Sequence, residues 1–339
     1  MPCLACAQVR LYETVIPGGG DDAELLHRWN HDQPIWCVRL SAAKLQLLFA
    51  AGYDGCVTLY DVHSKARLLS ICFSIENAAI PQFIWSLSLS RDATRLAVGR
   101  WSGHAHLYSV HLARIRWRVA VERWRAQYLP KKKPLKGNGV QMRVSTHQHS
   151  SIKMVSASAE QSFHGGTHGI AFVRPPPLGD RPYITELLCY ESTDRIYGLH
   201  LTATAQHIAI AGRDKNVSVH VMPQADDDMP VCLWRAIAND HVYVVTLATD
   251  LSYCAYGGPD MSAYVRDGRT GQMLWTIPCH GAIWSVTMLE YGESSGFSTK
   301  LAIGGDFAEV NVFDLKTHRC DLRLLQGDMV HAVVLTKDL

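Results

Sequence analysis

The chain has 339 residues, 47% of them apolar and 19% charged, with 33 Lys and Arg against 31 Asp and Glu for a net charge of +2. This composition supplies an ample core, and so small a net charge leaves no global field to select nucleic acid or an anionic membrane. The longest apolar runs have strand length, far short of the roughly 20 residues that span a bilayer, and no basic start followed by an apolar stretch marks a secretory signal. No transmembrane or export segment is therefore expected.

In chain order, the first strand-like run is QVRLYE, Gln8 to Glu13, and LLHRW, Leu25 to Trp29, reads as the outer strand beside it. Between them PGGGDD from Pro17 has no Lys and no helix pattern behind it, so it reads as a loop rather than a phosphate cradle. A three-part signature then begins and returns about every 41 to 56 residues. Its first part is an aliphatic residue, an aromatic and a short apolar alternation: IWCVRL from Ile35, IWSLSL from Ile84, IYGLHL from Ile196, VYVVTL from Val242, IWSVTM from Ile283 and VHAVVL from Val330. Its second part is a short apolar run closed by Gly52, Gly99, Gly212, Gly257 or Gly304. The third follows at once: VTLYD to Asp61, AHLYS to Ser109, VSVHV to Val221, AYVRD to Asp267 and VNVFD to Asp314. Three strands with Gly and Asp turns make a small antiparallel sheet that cannot bury its own face, so the copies must stack.

Two stretches depart from the pattern. Arg114 to Lys136 carries nine basic residues against the single acid Glu122. RIRWRVAV from Arg114 alternates basic and apolar residues, which predicts an outer strand with one wet face, and LPKKKPLKGNG behind it predicts a basic loop insertion near 125–140. From 141 to 193 the runs MRVST, IKMVSAS, GIAFVR and YITELLCYES lack the signature but have the length of one degenerate unit. The terminal segments then read as two halves of one closing unit whose second strand is missing, as expected for a chain cut from a longer polypeptide. Cys37, Cys56, Cys72, Cys232 and Cys254 lie in strand-like runs at no disulfide-like spacing, so reduced thiols are expected. Cys3 and Cys6 form a lone C-x-x-C pair with no second pair behind it.

These residues resemble the WD-repeat β-propeller family. IWSV at Ile283 and IWSL at Ile84 match its first strand, YDG around Asp54 and RDKN around Asp214 match its tight turn, and Tyr60-Asp61 and Phe313-Asp314 stand at its Trp-Asp position. His31-Asp32 and His280-Gly281 lie near its Gly-His position without that order. The resemblance implies an all-β fold: one seven-bladed propeller domain over residues 1–339, with six blades as the alternative count, built of four-stranded antiparallel blades, the termini sharing the closing one. A second likeness is narrower. DGRTGQMLWTIPCHGAIWSV from Asp267 is similar to the motif by which quinone-dependent dehydrogenase propellers dock blade on blade, with Gly271 and Trp275 in the docking places.

No phosphate loop, dinucleotide fingerprint, H-E-x-x-H or G-x-S-x-G occurs, so no catalytic residue, cofactor or metal site is expected. His104/His106, His147/His149 and His164/His168 lack a third ligand in sequence and read as ordinary polar histidines. Trp36, Trp85, Tyr197, Tyr243, Trp284 and His331 all hold one place at the start of the signature's first strand. They share parity with Val38, Leu87, Leu199, Val245 and Val286, so they either extend a core stripe between sheets or form an aromatic collar for a partner. Arg39, Arg100, Arg213 and Asp260 would be their polar neighbours. Lys131, Lys132, Lys133 and Lys136 would either be a solvated loop or meet an acidic partner surface or anionic lipid headgroups; nucleic acid is the lesser expectation. The function expected is a non-catalytic protein-interaction scaffold in the cytoplasm, with the nucleus as alternative. The alternatives are a quinone-dependent dehydrogenase-like enzyme and a nucleic-acid- or chromatin-associated propeller.

Overall fold

The computed structural model describes residues 8–13, 24–41, 46–73, 83–128, 184–222, 230–293, 296–325 and 328–333. The chain divides into two compact units, one drawn from residues up to 82 and from 109 to 186, the other from 83–108 and from 187 onward.

In the first unit β1 (Gln8–Glu13) and β2 (Glu24–Asn30) form a two-stranded antiparallel sheet, and β3 (Ile35–Leu40), β4 (Leu47–Gly52), β5 (Cys56–Asp61) and β6 (Arg67–Cys72) form a four-stranded one. Val9 and Trp29 of the smaller sheet pack with Leu48, Ala50 and Tyr60 of the larger in one core. The Trp29 indole donates to the Lys65 carbonyl at 3.0 Å, so the ring is both buried and satisfied. Cys56 and Cys72 are register partners across β5 and β6 and form a disulfide. This corrects the expectation of reduced thiols: the two cysteines, 16 positions apart, close a hairpin, which brings the ends of its two strands face to face. At Cys37 and Cys254 the thiols are free, and burial pushes each up to about 12.

The predicted outer strand from Arg114 is instead an α-helix, α1 (Leu112–Tyr128). Its 17 residues include no Gly or Pro and are dominated by Leu, Ala, Arg, Glu and Gln, all strong helix formers. The alternation that suggested a strand coexists with an i, i+4 pair, Ile115 and Val119, and both are buried. One turn further on, Arg123 reaches the fully buried carboxylate of Asp61, donating through Nε at 2.9 Å and Nη2 at 2.6 Å. Burial pushes the Asp61 carboxyl up, but the hydrogen bonds from Arg123 and Ser64 outweigh it and hold it below the ordinary range.

The second unit stacks four four-stranded antiparallel sheets. They are β7 (Ile84–Leu89), β8 (Arg95–Arg100), β9 (His104–Val110) and β10 (Ile184–Glu191); β11 (Ile196–Leu201), β12 (His207–Gly212), β13 (Asn216–Val221) and β14 (Val231–Ile237); β15 (Val244–Leu247), β16 (Cys254–Gly257), β17 (Ser262–Arg266) and β18 (Met273–Pro278); and β19 (Ile283–Glu293), β20 (Gly296–Gly305), β21 (Glu309–Asp314) and β22 (Arg319–Leu325). The last run expected in the degenerate unit, from Tyr183, thus serves as the outer strand of the sheet begun by Ile84. The three runs before it lie outside the described residues.

Each signature part has a physical cause. The first strand of each sheet is its inner edge, and its outward N–H groups need acceptors from the neighbouring sheet. Ser86 and Ser88 accept from the Leu199 and Leu201 amides at 3.1 and 2.8 Å, His200 Nδ1 from Leu247 at 3.0 Å, and Ser285 from Val333 at 2.9 Å. In three of the second unit's four sheets a glycine stands at or just past the end of the second strand, because a Cβ on Gly212, Gly258 or Gly305 would lie 2.3, 2.0 or 2.1 Å from the carbonyl oxygen just before its own inner strand; β8 instead ends on Arg100. Gly52 in the first unit meets the Pro34 carbonyl in the same way, at 2.1 Å. In three sheets the third strand ends on, or just before, an Asp that folds the next turn. Asp61 accepts from Ser64, Asp267 from Thr270, and Asp314 from Thr317.

Gly271 and Trp275 occupy the docking places expected of them. Gly271 has φ +73°, and a Cβ there would lie 2.8 Å from the ring of Trp234 in the preceding sheet. Trp275 stacks on His318 and meets Phe313 of the following one.

Two stability predictions follow from these contacts. Gly271→Ala forces an L residue into the left-handed region and into the Trp234 ring, and should cost about 1–3 kcal/mol in denaturant titration. A shift under about 0.5 kcal/mol would show that the sheets give way freely there. Arg123→Met strands the buried Asp61 carboxylate and should cost about 1–3 kcal/mol, less than a fully buried pair because the Arg123 side chain is 36% exposed. Adding Asp61→Asn should recover part of that loss; strictly additive losses would mean the pair does not couple.

Candidate functional site

The inner-strand aromatics of the second unit lie in one row. Trp85 touches Tyr197 with ring centroids 5.3 Å apart, Tyr197 meets Tyr243 edge-on at 5.6 Å, Tyr243 stacks on Trp284 at 4.6 Å, and Trp284 meets His331 at 6.1 Å. Their parity mates Leu87, Leu199, Val245 and Val286 are all buried, whereas Trp85, Tyr197, Tyr243 and Trp284 are half-buried and His331 is exposed. The row is thus the accessible end of a core stripe. In the first unit, Trp36 holds the same place on β3, half-buried, and Arg39 is exposed and donates to the Val38 carbonyl at 3.0 Å.

A second set of side chains occupies the position just after the second strand, which ends on Arg100, Gly212 or Gly305. Trp101 packs on Trp85 at 5.2 Å and on Tyr197 at 6.1 Å, and carries the Arg195 guanidinium 3.5 Å above its ring. Arg213 pairs with Asp194 at 3.8 Å. Asp306 accepts the indole N–H of Trp284 at 2.5 Å. Sequence reasoning missed Trp101, Arg195 and Asp306. The signal was available, because Trp101, Arg213 and Asp306 each directly follow the turn position of the second strand. Arg100, expected as a polar neighbour of the row, is only 4% exposed: it takes the glycine position of the other sheets and its side chain is buried. Asp260 accepts from the Tyr264 hydroxyl at 2.7 Å, a bond within its own sheet. Lys131, Lys132, Lys133 and Lys136 lie outside the described residues.

Burial raises the Tyr243 hydroxyl, with Tyr197, Asp240 and Asp306 adding to the effect, which places both carboxylates within electrostatic reach of the row. Asp240 is shared with Lys215 at 3.7 Å and His241 at 3.9 Å. Elsewhere, His104 and His106 on β9 stand opposite Glu191 and Cys189 on β10, at 3.6 and 3.8 Å. They form two separate pairs, and among the described residues no three His, Cys, Asp or Glu side chains converge on one metal position. No helix among the described residues is long and apolar enough to cross a membrane.

Comparison with known proteins agrees with this architecture. A family model described as WD40, WD domain, G-beta repeat, matches residues 23–61, from just before β2 to Asp61 at the end of β5. The solved structure of RRP9 WD40 repeats has a TM-score of 0.55 and 14% identity over 88% of this chain and 65% of that one. The structure of U3-55K has a TM-score of 0.55 and 13% identity over 88% of this chain and 66% of that one. The chain therefore spans just under two thirds of the length of these solved chains. No curated protein sequence matches it.

A pH prediction comes from His220 on β13. His220 hydrogen-bonds Ser218 at 2.9 Å and packs edge-on against Tyr190, and burial first, Arg235 second, push it down to about 4. Between about 6.5 and 4 the unfolded chain takes up a proton that the folded chain refuses, so stability should fall on acidification through that window and level off below it. His220→Gln should remove on the order of 2 kcal/mol of this pH dependence in denaturant titrations across the window. Identical pH slopes for the two proteins would show that His220 is not held neutral.

Proposed function

We propose that this chain, a WD40-repeat protein by its fold and by its matched repeat, acts as a non-catalytic scaffold whose half-exposed aromatic row binds partner proteins or peptides. The observation that carries the reading is the unbroken run from Trp101 through Trp85, Tyr197, Tyr243 and Trp284 to His331. Aromatic side chains lose little conformational freedom on binding and offer large apolar area with a polar edge, which makes them the commonest anchors of protein interfaces. Here they are held by a packed stripe beneath and by each other, so the face is ordered before a partner arrives. The basic segment adds a second proposed contact through Lys131, Lys132, Lys133 and Lys136, steering acidic partner surfaces or anionic headgroups. A cytoplasmic or nuclear site of action accords with this reading.

The test is quantitative affinity purification from cells of the intact chain beside Tyr197→Ser/Tyr243→Ser and an outer-strand control, Leu324→Ser. The aromatic variant should keep a near-wild-type melting temperature and lose most co-purifying proteins, while the control keeps them. Equal recovery from all three would remove the row as the partner face.

A further inference from the structure

The row is not electrically uniform. At its Trp101 end a guanidinium is already in place, Arg195 lying 3.5 Å over the ring centroid. At its other end the rings of Tyr243 and Trp284 are parallel and stacked, and the neighbouring charges are carboxylates. Asp306 is exposed, accepts the Trp284 indole N–H, and makes no ion pair with any described residue. Its position explains the difference. The equivalent residues are Trp101, which adds a ring, and Arg213, which pairs with Asp194, whereas Asp306 is a carboxylate with no ion pair among the described residues.

We propose that the Tyr243–Trp284–Asp306 end of the row is a receptor for an arginine side chain of a partner peptide, a proposal that rests on the row being the partner face. Three features fit a guanidinium there. A planar cation can lie on an aromatic face and still donate in its own plane to a carboxylate, which an ammonium does less well. Donation of the indole N–H to Asp306 makes the Trp284 ring face more negative and fixes the carboxylate at its edge. The Arg195–Trp101 contact is the same arrangement made within the chain, without a carboxylate to complete it. Asp240, 3.7 Å from Lys215, supplies a second, partly compensated negative charge, and His331 borders the far side of Trp284.

The test uses the full chain and a fluorescent peptide with two arginines in a Gly/Ser background, beside its citrulline analogue, followed by anisotropy. Citrulline keeps the shape and removes the charge. The arginine peptide should bind saturably and the citrulline peptide about fivefold or more weakly. Asp306→Asn should weaken the arginine peptide about fivefold or more with little change in melting temperature, whereas Glu191→Gln, an exposed acid on another part of the second unit, should leave it unchanged. Equal binding of the two peptides, no effect of Asp306→Asn, or equal loss in Glu191→Gln would overturn the proposal. Affinity purification separates it from the reading beneath it. Loss of partners in Tyr197→Ser/Tyr243→Ser but full retention in Asp306→Asn would remove the arginine receptor and leave the aromatic face standing; retention in both would remove both.

Discussion

The free edge of an inner strand is the constraint on which this structure depends. Within the second unit, β11 and β15 are laddered on one side only, and N–H groups on their other side face the preceding sheet. They must find acceptors or cost stability. Ser86, Ser88, His200 and Ser285 supply them, each from the inner strand of one sheet to the chain that follows it. A hydroxyl at the third place of the signature is therefore an inter-sheet bond rather than a surface polar group. It fixes the spacing of inner strands, and with that spacing the distance between the aromatics one residue earlier.

The signature glycines complete the arrangement from the other side. Where Gly212 and Gly305 let the second strand approach the carbonyl before the inner strand, the following residue donates to that same carbonyl, as the Arg213 and Asp306 amides do at 2.8 and 2.9 Å. At this position Trp101 meets the inner-strand Trp85 and Asp306 meets Trp284. Backbone geometry leaves the residue after the second strand free: Trp101 after Arg100, and Arg213 and Asp306 after glycines, are a ring, a cation and an anion at one structural position. The core does not constrain this place, so the chain can vary the chemistry of its face there without disturbing the sheets beneath.

Much of this was legible in the sequence because it is local. The alternation of IWSLSL, the glycine ending the second strand and the Asp ending the third are each forced by contacts within one sheet or to the next. The parts that were not legible are non-local or ambiguous in period. RIRWRVAV satisfies a strand pattern, yet Ile115 and Val119 equally satisfy a helix. Its propensities and the Arg123–Asp61 bond, across 62 residues, favour the helix. The Cys56–Cys72 pairing needed the hairpin register before its spacing had meaning. Whether the aromatics were core or collar could not be read from parity, because they are the exposed end of a stripe whose remaining members are buried.

The same reasoning shows why the row is polarised rather than uniformly apolar. A run of rings alone would attract any apolar surface and discriminate poorly, since area burial carries no direction. The guanidinium on Trp101 and the carboxylate on Trp284 give the row two unlike ends about four ring contacts apart. In the proposed use of the row, a basic partner side chain would be repelled at the Arg195 end and accepted at the Asp306 end, which would give a bound segment one favoured direction. Apolar contact along the rings would then set affinity, and the two residues that end the row would set orientation.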